Sequence, residues 1–314
     1  MAQGTQPRSS RPQRVLPLGP TALSIARKTI FWWLPLLFLL VSDSFYLRTY
    51  DSAQVKITLV QMGGLTLLAL WLCLLVEEGL KAFRKEDLST LAPFLAFFAS
   101  GIFSFLHAPY QGPSIDDFIR RCVYMTVALI IVREFTDDAV RRLTRWVVIT
   151  AAIAILYGFL QWIDTRFFPK GIDAGVDPFI WRWAFEKRVF STFGNPNFFA
   201  DFLVLTYPIL VCQWLKTRAF VYLPLLALLL LNLYSTETKG AWIGFTVSLC
   251  IFVLVYAVFF VQGEMRQVLK RAFAVIAVIG LVLGSIVAYY THKRMQSVNF
   301  RVATWLSTWE MIES

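Results

Sequence analysis

One short stretch, residues 188–201 (RVFSTFGNPNFFAD), brings together residue types suited to holding an anion. Gly194 interrupts regular structure, Asn195 is a good helix N-cap, and Pro196 suits the first helical position, where a missing N–H costs nothing. A membrane helix beginning here carries unpaired N–H groups and partial positive charge at the membrane surface. Arg188 lies just before that end, so a basic side chain and a helix N-terminus share one neighbourhood suited to phosphate. The same residues also describe an ordinary membrane-helix start with an interfacial arginine.

A second helix start lies in STETKGAWIG, Ser235–Gly244. Thr236 or Thr238 can cap it, Gly240 permits close backbone approach, and Lys239 sits beside the end. Each helix start contributes roughly 0.3–1 kcal/mol toward a bound anion. Lys239 as a plain lipid-phosphate anchor is the alternative. Asp201, one turn inside the helix after Asn195, reads as shallow and bundle-facing, a partner for Arg188 or Lys239 or a plain interfacial acid. His107 and His292 are the only candidate general bases of their kind, though lone interfacial histidines are usually structural. No Ser–His–Asp, P-loop, HExxH or CxxC pattern is present.

These residues need elements to position them, and composition says which. Of 314 residues, 57% are hydrophobic and only 16% are charged, with mean hydropathy +0.61. The apolar runs approach the roughly 20 residues a membrane helix requires. The chain therefore reads as an all-α, polytopic membrane helix bundle. Few alternating segments appear, which argues against a β-barrel. The net charge of +10 is spread between apolar runs, so orientation and anionic lipids account for it and nucleic acid does not. Cys73, Cys122, Cys212 and Cys250 lie in or beside apolar runs without metal-like spacing and read as buried free thiols.

Nine spans are expected, near 30–47, 57–76, 91–107, 118–133, 146–163, 197–215, 219–235, 241–262 and 272–290. The fourth is the weakest, because Arg120 and Arg121 would have to snorkel. Residues 1–28 read as a disordered cytoplasmic tail, 29–290 as the bundle, and 291–314 as the start of an outer segment cut short at Ser314, with no helix stop signal. The first span reads as a retained anchor. With the N-terminus inside, basic residues favour the inner side. The exceptions cluster in the 164–196 loop (Arg166, Lys170, Arg182, Lys187, Arg188) and near the end (Lys293, Arg294, Arg301). An anionic substrate at the outer face explains them, as does the tolerance of a long loop for charge. Aromatic residues through that loop suggest a short interfacial helix near Pro178–Lys187.

At FSTFGNPNFFADFLVLTYP the chain resembles the O-antigen ligase / O-antigen polymerase-like membrane protein family. Members commonly read GTFGNPN before an apolar helix, then TGSRGAW.G at a later helix start, which STETKGAWIG echoes. They then read R…W before a large periplasmic loop, which Arg301 and Trp305 echo. The three motifs occur in order, and the likeness covers about residues 30–314.

The resemblance implies a GT-C-like helical transferase of the bacterial inner membrane. Such a protein moves a glycan from undecaprenyl diphosphate to a periplasmic-side lipid or protein acceptor, such as lipid A–core, without metal, nucleotide or other cofactor. Arginines hold the diphosphate, and a loop histidine, expected here beyond Ser314, acts as base. Carried over by position, Arg188, Asn195, Asn197, Lys239 and Arg301 are the substrate contacts. Lys239 stands where the family has Arg, so a bidentate grip on phosphate is lost there. Polysaccharide polymerases and protein O-oligosaccharyltransferases share the motifs. A small-anion transporter of the bicarbonate type is a rival of another class, but it calls for broken helices and paired midplane charges, and this chain has almost no midplane charge. A third reading is an inactive fragment, or a subunit that a partner completes.

Overall fold

A computed structural model describes residues 20–45, 52–79, 85–107, 111–168, 184–260 and 296–313, with 263, 267, 271 and 274. All regular structure among the described residues is helical. The helices are α1 (Pro20–Asp43), α2 (Ser52–Glu78), α3 (Lys85–Leu106), α4 (Gln111–Glu134), α5 (Asp137–Phe167), α6 (Pro196–Thr217), α7 (Tyr222–Ser235), α8 (Lys239–Phe259) and α9 (Gln296–Glu313). A single 3₁₀ turn, Ser191–Phe193, precedes α6. The chain divides into two compact units, Met1–Glu237 and Thr238–Ser314.

Among the described residues, six helices are long and apolar enough to cross a membrane: Leu23–Asp43, Ala53–Glu77, Asp87–Leu106, Asp137–Phe167, Pro196–Thr217 and Lys239–Phe259. The expected span at 219–235 is a shorter apolar helix, Tyr222–Ser235. The span expected at 272–290 lies outside the described residues. The helix expected at 118–133 exists as α4, but acids and arginines at both ends leave it less apolar than the six crossers. Its first two arginines reach back toward the N-terminal end of the helix and are held there. Arg121 donates to Asp117 at 2.9 Å and lies 4.4 Å from the Phe97 ring, while Arg120 donates to the same carboxylate at 3.2 Å. The Arg121 bond, with Arg120 beside it, holds the Asp117 carboxyl below the usual carboxylate range. Helix α1 starts at Pro20, inside the stretch assigned to the tail.

In the first unit, α1 buries Ile30, Leu34 and Leu37 against Leu67, Trp71 and Leu74 of α2 and Ile130 of α4. Both triplets follow i, i+4, i+7 spacing, the stripe one helical face presents. Gly63 and Gly64 let the helices close up. A Cβ on Gly63 would stand 2.3 Å from Leu37 of α1, and one on Gly64 would stand 2.2 Å from Val123 of α4. Small residues at such crossings are how membrane helices gain contact where water does not drive them together. Trp33 then donates its indole N–H to the Gly63 carbonyl at 3.1 Å.

The two ends of this unit differ in chemistry. At one end Arg27 meets Glu134 at 3.4 Å, and Arg133 meets Asp87 at 3.5 Å. At the other gather the C-termini of α1, α5 and α7 and the N-termini of α2 and α6, through bonds described below. Outward, Phe103, Leu156, Leu205 and many other large apolar side chains are exposed. A monomer in water does not tolerate so much apolar surface, whereas a bilayer covers it.

Candidate functional site at the start of helix six

The segment before α6 is pinned from two sides. From α5, Gln161 accepts hydrogen bonds from the backbone N–H groups of Phe190 and Ser191, at 3.2 and 2.7 Å. The Ser191 hydroxyl donates to the Ala154 carbonyl at 2.6 Å. From α7, the Ser235 carbonyl accepts from the Val189 N–H at 3.0 Å. Thr192 adds a third tie, donating to the Ser42 carbonyl at the end of α1 at 2.9 Å. Ser191 has φ +49°, a strained value for a side chain with a Cβ, and these bonds hold it there.

Arg188 stands at the head of this segment. Its Nε donates to the Thr236 carbonyl at 2.7 Å and its terminal nitrogen to the Asn197 side-chain oxygen at 3.0 Å. The guanidinium is half-buried, while Asn197 is exposed. The cation therefore lies between the C-terminal end of α7 and the first turn of α6. The partial negative charge of the one offsets part of the guanidinium charge, and the positive end of the other adds to it.

The N-terminus of α6 has the local geometry expected of it. Gly194 adopts φ +67°, Asn195 is extended, and its side-chain oxygen accepts from the Asn197 N–H at 2.8 Å. Pro196 occupies the first turn. The consequence differs from an open N–H cradle, since Pro196 brings no donor and the Asn197 donor is already bonded. An anion here relies on the Arg188 cation and the helix end's field more than on free amides. Asn195→Ala should cost about 1 kcal/mol in unfolding free energy. Comparing SDS-induced unfolding of the two purified chains in mixed micelles measures it.

The remaining expected residues fall as follows. Lys239 is the first residue of α8, in the second unit, where Thr238 holds the cap position without a side-chain cap bond. Thr236 closes α7 instead, and its hydroxyl donates to the Leu233 carbonyl at 2.8 Å. Arg301 lies in α9. Asp201 is exposed and forms no ion pair with Arg188 among the described residues, so the bundle-facing reading is corrected. His107 is exposed at the end of α3 with Nδ1 2.8 Å from the Phe103 carbonyl, a helix-end contact, and His292 lies outside the described residues. The stretch Pro178–Lys187 is described only from 184, where it forms a turn. All four cysteines are free, but none is buried: Cys73 and Cys212 are exposed, and Cys122 and Cys250 are half-buried.

Sequence reasoning missed two groups of residues at this end. The first is the polar face of α5, where Gln161, Asp164 and Thr165 are buried. Their spacing, just beyond Gly158 in an otherwise apolar run, is the signal that could have found them. The second is Lys56 in the first turns of α2. Its ammonium donates to the Val41 and Ser42 carbonyls, both at 2.6 Å, and lies 4.9 Å from the Phe193 ring. It caps the C-terminus of α1, the end a cation favours. Asp43 lies close enough to Lys56 for charge attraction, yet its carboxylate oxygens have no hydrogen-bond partner. Among the described residues no group of three or more His, Cys, Asp or Glu side chains could hold a metal ion.

The bundle, its six apolar crossers and its exposed apolar flank define a helical, multi-pass membrane protein. No family model matches the chain, and neither does any curated protein or solved structure.

Proposed function

We propose that this protein is a glycosyltransferase of the O-antigen ligase type, with a GT-C-like bundle of about nine spans in the bacterial inner membrane. The N-terminus is cytoplasmic and the Arg188 end faces the periplasm. The donor is a glycan on undecaprenyl diphosphate, and the acceptor is a lipid such as lipid A–core. A polysaccharide polymerase or a protein O-oligosaccharyltransferase would use the same donor seat. The observation that carries the reading is the Arg188 guanidinium, fixed by Thr236 and Asn197 beside the positive end of α6. A departing diphosphate gains negative charge, and a cation held in advance at that place stabilises it without reorganising. Asn195 and Asn197 shape the helix end. Lys239 and Arg301 enter through the sequence resemblance alone.

The test is binding and transfer by the full chain in lipid nanodiscs. Undecaprenyl diphosphate should bind wild type, and Arg188→Ala should weaken binding about tenfold, the worth of a lost charge-assisted hydrogen bond. Glycan transfer to lipid A–core should fall with it, and Lys239→Ala should act in the same direction. Unchanged diphosphate affinity in Arg188→Ala would overturn the seat. Intact binding with no transfer to any lipid or protein acceptor would overturn the transferase assignment.

A further inference from the structure

The end of the first unit remote from Arg188 carries a groove of about 500 Å³ between α1 and α5, lined by Ile25, Lys28, Trp32, Leu36 and Trp146 among others. We propose that this groove is a binding site for an anionic phospholipid, with an acyl chain along the indoles and the headgroup phosphate against Lys28 and Arg142. The inference stands apart from the donor seat. Lys28 lies fifteen residues before Asp43 on the same helix, roughly 22 Å along its axis.

Three observations point to that ligand. The groove opens on the outward surface, where Ile25, Trp32 and Leu36 are all exposed, so hydrocarbon rather than water is its neighbour in a bilayer. Its walls are apolar and aromatic, and tryptophan is the side chain that sits at headgroup level. Its rim carries positive charge that the protein offsets only in part, through Asp138, which is itself paired with Arg141. The Arg142 guanidinium lies 4.6 Å from the Trp32 ring centre, and Lys28 is exposed beside it. The nearby acids are committed elsewhere, with Asp138 bonded to Arg141 and Glu134 to Arg27 and Trp71. Among the described residues, neither Lys28 nor Arg142 forms an ion pair.

A zwitterionic lipid would bring its own cation to this rim, and a soluble anion would leave the apolar walls uncovered. An anionic phosphodiester with attached chains satisfies both. Stacking holds the flat guanidinium in place while its N–H edges stay open to phosphate oxygens.

The experiment uses the full chain in phosphatidylcholine vesicles containing spin-labelled phosphatidylglycerol or spin-labelled phosphatidylcholine. The motionally restricted fraction reports relative affinity. Wild type should prefer the phosphatidylglycerol probe about fivefold, the scale that near-surface cations give toward anionic lipid. The preference should fall close to one in Lys28→Gln/Arg142→Gln. Leu36→Trp, which fills the groove and leaves the charges in place, should lower it as well, so the proposal does not depend on one variant folding. A basic pair outside the groove, Lys216→Gln/Arg218→Gln, should leave it intact. Equal affinity for both probes in wild type overturns the proposal. So does a preference that survives Lys28→Gln/Arg142→Gln, or one lost only with Lys216 and Arg218, because the charge responsible then lies elsewhere.

Discussion

Gln161→Leu should destabilise the protein by about 2–4 kcal/mol, although it removes a side-chain amide nitrogen that is buried without a partner. The amide oxygen of Gln161 receives two backbone N–H groups, those of Phe190 and Ser191, both of which are almost fully buried. Leucine leaves both without an acceptor. Each buried, unpaired N–H costs about 1–3 kcal/mol, and a bilayer offers no water in compensation. The strained Ser191 backbone also loses one of the bonds that hold it, so the segment should relax and Arg188 should drift from Thr236 and Asn197. Unfolding of the purified chain by SDS in mixed micelles measures the first effect. A fall in undecaprenyl diphosphate affinity, measured under conditions where the variant is still folded, reports the second. Stability within about 0.5 kcal/mol of wild type would mean that the loop is held mainly by its other bonds.

Gly158→Ala should also destabilise, against the usual sign. In an exposed helix interior the change favours folding by about 1 kcal/mol, because alanine loses less backbone freedom. Here the new methyl would stand 2.3 Å from the Asn232 side-chain oxygen and 3.0 Å from the Phe199 ring. Asn232 cannot swing aside freely, since its amide donates to the Ile155 carbonyl at 3.0 Å and to the Leu228 carbonyl at 2.9 Å. Phe199 is fully buried and stacks on Phe193 at 5.7 Å between ring centres. Overpacking costs about 1–3 kcal/mol, and a 2.3 Å contact belongs at the upper end, so the net loss should be about 1–2 kcal/mol. A thermal unfolding midpoint equal to or above that of wild type would show that α7 can back away from α5. The losses from Gly158→Ala and Asn232→Ala should be less than additive, because the shortest contact disappears with the asparagine.

What could be read in the chain was local. Gly194, Asn195 and Pro196 are consecutive, and their turn, cap and first-helix roles depend on a few dihedral angles and one short bond, so residue type alone announced them. Arg188 and Asn197 are nine positions apart and meet across one tight turn. The ties that fix the turn are of another kind. Gln161 reaches over 30 positions and Thr192 over 150, and no periodicity links such partners. Lys56 carried no signal of its role because its acceptors belong to the preceding helix. Asp201 misled for the converse reason: nearness in sequence to Arg188 suggested pairing, but helical geometry turns it outward. The number of crossings was harder still. Hydropathy cannot separate a helix such as α4, whose arginines are satisfied by Asp117 and Phe97, from one that must reach for water.

The Thr192–Ser42 bond has a consequence for how the molecule is made. It joins α1 to a turn completed 150 residues later, and the Ser235 and Thr236 carbonyls arrive later again. The set of bonds around Arg188 is thus among the last features of the first unit to take shape during synthesis. Until α7 has been inserted, the guanidinium lacks the Thr236 carbonyl that holds it, and the turn before α6 lacks its tie to Ser235.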